Sequence, residues 1–211
     1  LIQGSEEWRL ARVGSLGASR VADAIARTKS GWGASRKNLA AELVVERLTG
    51  VPTPSFTNDA MRWGSEVEPQ ARDAYCFYRD VDVMEVGLIR HPTIKGTHAS
   101  PDGLVGDDGL LEIKCPSSAT HIETLLTKSI ADKYVVQMQW QLACTGRAWC
   151  DFVSFDPRMP EDLRLFVRRV ERDDKRIAEL ESLVRDFLRE VDDTLAALTG
   201  LSQPNTLLGA A

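Results

Sequence analysis

Asp102, Glu112 and Lys114 combine residue types and spacing that could do chemistry. In the stretch SPDGLVGDDGLLEIKCP, residues 100–116, an aspartate follows a proline, and ten positions later come a glutamate and a lysine, one apolar residue apart. Side chains of a strand alternate, so Leu111, Ile113 and Cys115 face one way and Leu110, Glu112 and Lys114 the other. The GDDG turn folds the two segments together and lets the Asp102 carboxylate meet Glu112. Two carboxylates and a backbone carbonyl form a hard-oxygen set suited to Mg²⁺, which keeps waters for the phosphate oxygens of a substrate. Such an ion stabilises charge developing on a phosphate and lowers the pKa of water. A lysine beside it positions the attacking water, or takes its proton if burial and the ion depress the lysine from its usual pKa of about 10.4. From these residues alone the alternative is a solvated strand, since Glu-x-Lys alternation and Asp-Gly turns are common on surfaces.

Other residues bear on the same chemistry. Glu68 shares a helical face with Gly64, Ala71 and Tyr75, which tilts its carboxylate toward an apolar stripe where it requires a cation or a donor. A third acid of the same site and an ion pair with Arg72 or Arg62 are both compatible with that position. In YVVQMQWQLACTG, Tyr134, Gln137 and Gln141 share a face while Gln139 points elsewhere. Uncharged amides there can bind phosphate oxygens or steady a lysine without opposing a metal, or can be hydrogen-bonded core amides.

Elements able to position these groups follow from periodicity. Helices are expected over about 17–26, 35–48 with a serine cap and Gly50 as its end, and from the Asn58–Asp59 cap toward Tyr78, where Pro69 calls for a kink or a fresh start. A period of two then predicts strands over 83–86, 88–91, 98–105 and 110–115, three or four of them antiparallel. Helices over 118–126 and 133–145, strands over 148–155 and 163–170 and a long helix over about 173–198 complete the chain. The last carries Ile177, Leu180, Val184, Phe187, Leu188, Val191, Leu195 and Leu198 on one stripe. The expected architecture is mixed α/β, with helices flanking a central sheet, in one domain over 1–211 with its core over about 6–199 and an irregular tail over 200–211.

Composition sets bounds. With 211 residues, 43% hydrophobic and 27% charged, the chain can bury a sizeable core, which argues against disorder. No window approaches the roughly 18 apolar residues of a membrane span, so a cytoplasmic protein without membrane contact is expected; it opens on Leu1, and a short leader is expected to precede it. Cys76, Cys115, Cys144 and Cys150 never approach a C-x-x-C spacing, which argues against zinc and a disulfide framework. A net charge of -5 is unusual for a phosphate-binding protein, yet RTKSGWGASRK carries Arg27, Lys29, Arg36 and Lys37 without an acid, while acids outnumber bases beyond Met159. A basic flap on an acidic body and a plain solvated loop both fit.

SPDGL with LEIKCP has the form of the PD-(D/E)xK nuclease signature. Together with EEWRLARVGSLGAS, RWGSEVEPQARDAY, YVVQMQWQ and FDPRM, in that order, it resembles the YqaJ-like viral recombinase and phage lambda exonuclease family, from about Glu6 to Met159. The resemblance implies a restriction-endonuclease-like core and Mg²⁺-dependent digestion of double-stranded DNA from a 5′ end, with two ions per site and Mn²⁺ as an accepted substitute. Mononucleotides are released and a 3′ single strand remains. By the same resemblance Asp102, Glu112 and the Ile113 carbonyl hold metal, Glu68 acts on it through water, Lys114 serves the attacking water, and Gln137 is the active-site amide. Arg12 and Ser19, with Ser100 beside them, match the family's 5′-phosphate pocket; a guanidinium offers two parallel donors to a phosphate, and a hydroxyl near a helix N-terminus adds another. Tyr134 and Gln139 complete the Y-x-x-Q-x-Q element and, with Lys29, Arg36 and Lys37, are expected to contact DNA. A homotrimeric ring around DNA and a single-strand annealing partner in phage recombination are also implied. An endonuclease or repair nuclease on the same fold, and a non-catalytic DNA-end-binding protein, are the alternatives.

Overall fold

The computed structural model describes residues 1–29, 31–54 and 58–201. The expected irregular tail lies outside the described residues after Leu201. In chain order the elements are α1 (Glu6–Arg12), β1 (Leu16–Gly17), a 3₁₀ turn (Ala18–Arg20), α2 (Val21–Ala24), β2 (Arg27–Thr28), β3 (Gly31–Trp32), α3 (Ala34–Thr49) and α4 (Asp59–Arg79). Four short strands follow, β4 (Val83–Met84), β5 (Ile89–Arg90), β6 (Thr97–Ala99) and β7 (Gly103–Val105), and then the longer β8 (Gly109–Lys114). The remainder is α5 (Ser118–Thr127), α6 (Asp132–Thr145), β9 (Trp149–Phe155), β10 (Leu165–Glu171) and α7 (Asp174–Leu201).

The result is the expected mixed α/β architecture with a long C-terminal helix. A five-stranded sheet runs β10-β9-β8-β7-β4, and only its central β8–β9 pair is parallel. A second sheet, β1-β6-β5, pairs Leu16 with Thr97 and Gly17 with His98 in parallel. The single strand expected over 98–105 is divided between these sheets. Pro101 has no N–H to give a ladder, and the chain changes sheets at Ser100–Asp102, which leaves those two residues at the seam.

Both faces of the large sheet are covered. Val67, Ala71 and Tyr75 of α4 pack against Leu111, Ile113 and Val153 on one side. On the other, Met138 and Leu142 of α6 meet Leu110, Cys150 and Phe152. A third cluster joins Leu16, Leu39, Leu43 and Trp140 to Leu180, Val184 and Phe187 of α7. Burying each such side chain stabilises the fold by about 1.5–3 kcal/mol before entropy is counted. Within the expected α7 stripe, Leu195 is only half-buried and Leu198 is exposed, because α7 outruns the helices it packs on.

Two helices bear on the expectations at Pro69 and over 17–26. Asn58 caps α4 as predicted, its side chain accepting from Met61 N at 2.9 Å, but the helix then continues through Pro69 as one element. Burial of Val67, Ala71 and Tyr75 outweighs the one backbone donor the proline removes. The helix expected over 17–26 is instead a 3₁₀ turn and a single α-turn, so Ser19 stands on a tight turn and no long helix dipole reaches it.

Candidate active site

Glu112, at the middle of β8 and only 1% exposed, is held from three directions. Gln137 Nε2 donates to its Oε1 at 2.6 Å and Gln141 Nε2 to its Oε2 at 2.6 Å, both from α6, while Lys114 Nζ lies 2.5 Å from Oε1. Alternation along β8 puts Glu112 and Lys114 on the α6 face, and the i, i+4 spacing of the two glutamines delivers both amides to one carboxylate. Asp102 comes from the seam between the sheets. Its Oδ2 accepts from Ile113 N at 2.6 Å and its own N–H donates to Leu111 O at 3.1 Å, which fixes it beside β8.

The electrostatics are those of acids crowded out of water. Burial first, and then the neighbouring charge of Glu112, push Asp102 well above the usual carboxylate range. Burial likewise raises Glu68, with Arg72 opposing and Glu112 reinforcing the shift. Burial alone would lower Lys114, but Glu112 and Asp102 outweigh it and its pKa is raised, so the side chain is an ammonium. Tyr134 braces that ammonium, its ring centroid 5.1 Å from Nζ. Of the two readings open from the sequence the ion pair is present, Glu68 accepting from Arg72 Nη2 at 2.7 Å, and the Glu68 charge adds to the raising of Asp102. Among the described residues no three His, Cys, Asp or Glu side chains already stand together as a ligand group. The donor set nevertheless suits a hard cation, because Asp102 and Glu112 repel one another and offer oxygen only.

Next to this cluster lies a second, with the opposite charge. Arg12 ends α1, half-buried, and burial lowers its pKa against the raising influence of Glu46. Its guanidinium stacks on Trp8, 4.0 Å from the ring centroid, and its Nε donates to His98 Nε2 at 3.2 Å. None of the described residues hydrogen-bonds its two terminal nitrogens. Trp8 Nε1 donates to Ser100 Oγ at 3.1 Å, which ties the second predicted phosphate ligand to the same wall. A cavity of about 160 Å³ is lined by residues of both clusters, Arg12, Ser19 and Ser100 from one and Asp102, Glu112, Lys114 and Gln137 from the other. Seven residues proposed from sequence for two separate tasks thus share one space.

The YqaJ-like viral recombinase domain matches residues 7–148. The chain belongs to the YqaJ-like viral recombinase family. Among solved structures it is similar to the alkaline exonuclease LHK-Exo from Laribacter hongkongensis, at 53% identity over 92% of this chain and 96% of that one, with a TM-score of 0.87. LHK-Exo in complex with dAMP matches to the same degree. A phage-related exonuclease from Haemophilus somnus 129PT shares the fold, with a TM-score of 0.71 and 16% identity over 87% and 96% of the two chains. No curated protein matches.

Within this YqaJ-like domain two residues expected at DNA are placed elsewhere. Arg36 is 2% exposed; Trp32 and Phe187 flank its guanidinium, which donates to Ala24 O and pairs with Glu190 at 2.6 Å. It therefore anchors α3 to α7 and is no part of an exposed flap. Gln139 is buried too, donating to Glu171 O at 2.8 Å and accepting from Asp173 N at 3.0 Å, so it joins β10 to the start of α7. Lys29 and Lys37 are exposed.

Three residues of the site escaped the sequence reading as site residues. Gln141 was visible on the Gln137 face. Trp8 stands four residues before Arg12 on a helix, the spacing of a stacked cation and ring. His98 precedes Ser100 by two, which in a strand means the same side. FDPRM closes a structural corner: Asp156 is buried, receives Ser118 Oγ at 2.6 Å and Arg158 Nε at 2.7 Å, and is held down to a pKa of about 2. Burial opposes that shift most strongly, but the hydrogen bonds from Arg158 and Ser118 prevail.

Proposed function

We propose that this protein is an exodeoxyribonuclease that degrades duplex DNA in the 5′-to-3′ direction with Mg²⁺, Mn²⁺ being able to substitute, and leaves a 3′ single strand for recombination. One observation carries the reading: the acidic cluster and the Arg12 pocket line a single cavity, so an end-recognition group and a hydrolytic group face one substrate. The likeness to an alkaline exonuclease at 53% identity supports it, as does the complex of that relative with a mononucleotide.

Asp102, Glu112 and the Ile113 carbonyl would hold Mg²⁺, two ions being the expected complement, with Glu68 reaching them through water. When bound, the metal supplies Lewis acidity to the phosphoryl oxygens and lowers the pKa of water. The chain's own residues do the rest. Lys114 Nζ holds the attacking water in line with the phosphorus. Gln137 and Gln141 orient Glu112 without adding charge that would compete with the ion. Arg12, Ser19 and Ser100 take the terminal 5′-phosphate and so set which bond faces Lys114. Water adds to phosphorus, the bond from phosphorus to the 3′ oxygen of the terminal nucleotide breaks, and that oxygen leaves with a proton. The products are a 5′-mononucleotide and a new 5′-phosphorylated end, the group the Arg12 pocket reads. Each cleavage therefore regenerates the feature recognised in the next.

A ring of three copies around DNA and a single-strand annealing partner belong to the same proposal. Phe77, Tyr78 and Met84, exposed at 91%, 63% and 62%, are apolar surface that such assembly would cover. The deciding experiment is product analysis on linear duplexes with 5′-phosphate or 5′-hydroxyl ends and on a closed circle, with Mg²⁺ and with chelator. Mononucleotides from phosphorylated linear ends, only with metal, are expected. Nicking of the circle would shift the reading to an endonuclease, and binding without product to an end-binding protein.

A further inference from the structure

His98 has no part in the reaction just described, yet it is the residue on which Arg12 rests. It is 1% exposed, lies on β6 beside Gly17 of β1, and lines the cavity shared by the two clusters. Arg12 Nε always carries a hydrogen, so its 3.2 Å contact with His98 Nε2 requires that nitrogen to present a lone pair. A neutral ring then holds its hydrogen on Nδ1, and the 2.9 Å contact with Ser15 Oγ is a bond donated by histidine to serine. One tautomer satisfies both contacts, and a protonated ring satisfies only one.

The local backbone is shaped around this pair. A Cβ added at Gly17 would lie 3.2 Å from His98 Nε2, tighter than a side-chain carbon ordinarily sits, and in ordinary contact with Arg12 Nη2 at 3.5 Å. With Trp8 stacked on the guanidinium, the Arg12 head is held by a ring face and a ring nitrogen while its terminal nitrogens are left for a ligand.

We propose that His98 is a positioning residue for 5′-phosphate recognition: a neutral imidazole, its tautomer set by the Arg12 Nε–H and matched by Ser15 as acceptor, that orients the Arg12 guanidinium toward the terminal phosphate. The inference rests on the reading of Arg12 as the 5′-phosphate ligand. A carboxylate in the same place would hold Arg12 as firmly but would repel the phosphate; a neutral acceptor orients the cation and leaves its charge unspent.

The test compares kcat and KM for duplexes ending in 5′-phosphate and in 5′-hydroxyl, using the full chain with Mg²⁺. In His98→Leu the ratio of kcat/KM between the two ends should fall about tenfold, the worth of one charge-assisted hydrogen bond, with the loss carried by KM for phosphorylated ends. His98→Gln, whose carbonyl oxygen can accept from Arg12, should recover most of it. In an Arg12→Ala background His98→Leu should change the ratio no further. Ser15→Ala removes the acceptor that anchors the ring through Nδ1–H and should lower the ratio in the same direction; if His98→Leu fails to fold, this variant decides. A wild-type protein indifferent to the 5′ group would remove the Arg12 reading and this inference together. A wild type that discriminates, with folded variants that discriminate equally, would overturn the role of His98 alone.

Discussion

Two buried carboxylates sit on neighbouring strands of the large sheet and face opposite sides of it. In the β8–β9 register Leu111 pairs with Asp151 and Glu112 with Phe152, so Asp151 points to α4 and Glu112 to α6. Asp151 is 0% exposed and over-supplied with positive charge: Arg169 donates at 2.9 and 3.0 Å, Arg79 stands at 3.5 Å, and Tyr75 Oη donates at 2.8 Å. Glu112 receives two neutral amides and a single lysine whose charge Asp102 also draws on. A carboxylate matched by guanidinium groups is a structural tie. One held in place by amides, with a second acid crowding it, keeps its negative charge available for a cation.

Substitution should separate the two most sharply in activity. Glu112→Gln is expected to lower turnover on phosphorylated duplex ends by at least about 10³-fold, roughly 4 kcal/mol of transition-state stabilisation, because the proposed metal would lose a charged ligand. Its stability should change by less than about 2 kcal/mol, since relief of repulsion at Asp102 offsets one mismatched amide contact. Asp151→Ala should do the reverse, costing about 3 kcal/mol in urea unfolding as Tyr75 and two arginines lose their acceptor, with kcat per folded molecule nearly kept. Equal loss of turnover in both variants would erase the distinction.

The comparison also accounts for what the sequence revealed. Glu112, Lys114 and Asp102 were legible because β8 is long enough for alternation to show and a tight turn joins the two segments. Asp151 drew no attention, since its partners Tyr75, Arg79 and Arg169 come from α4 and β10 and local spacing carries no trace of them. Arg36 was misread for the same reason: its run of bases looks solvated until Glu190, 154 positions away, is folded against it. The proposed phosphate pocket was legible only in part. It stands on the last residue of α1, seven residues long, on the three-residue 3₁₀ turn and on or just after β6, three residues long, all too short for a period to mark a site, so Arg12, Ser19 and Ser100 came from family motifs and His98 from the structure alone.

The two clusters lining the cavity provide the next contrast. Arg12→Ala should cut the preference for 5′-phosphate over 5′-hydroxyl ends by about 30-fold, near 2 kcal/mol for a lost charged contact, while leaving metal-dependent turnover measurable. Lys114→Ala should abolish turnover and leave binding to phosphorylated ends largely intact in a gel-shift assay with Ca²⁺. If Arg12→Ala leaves the preference unchanged, the phosphate lies elsewhere.

A last, smaller effect separates the two clusters by the sign of their proton linkage. Burial, with the charges of Arg12 and Arg90 adding to it, lowers His98 to about 3 from an ordinary value near 6.5. Between those values the unfolded chain binds a proton that the native ring refuses, so stability falls with decreasing pH at up to about 1.4 kcal/mol per unit, and the slope ends below about 3. Asp102 and Glu68 are raised, so the native state holds protons the unfolded chain has released, and their contribution grows as pH falls. The opposing slopes partly cancel in the wild type. His98→Gln removes one of them, and from pH 7 to pH 5 its urea stability should fall by about 2 kcal/mol less than that of the wild type. Parallel pH profiles for the two proteins would mean that the native ring titrates as freely as the unfolded one, which a buried imidazole facing two arginines does not allow.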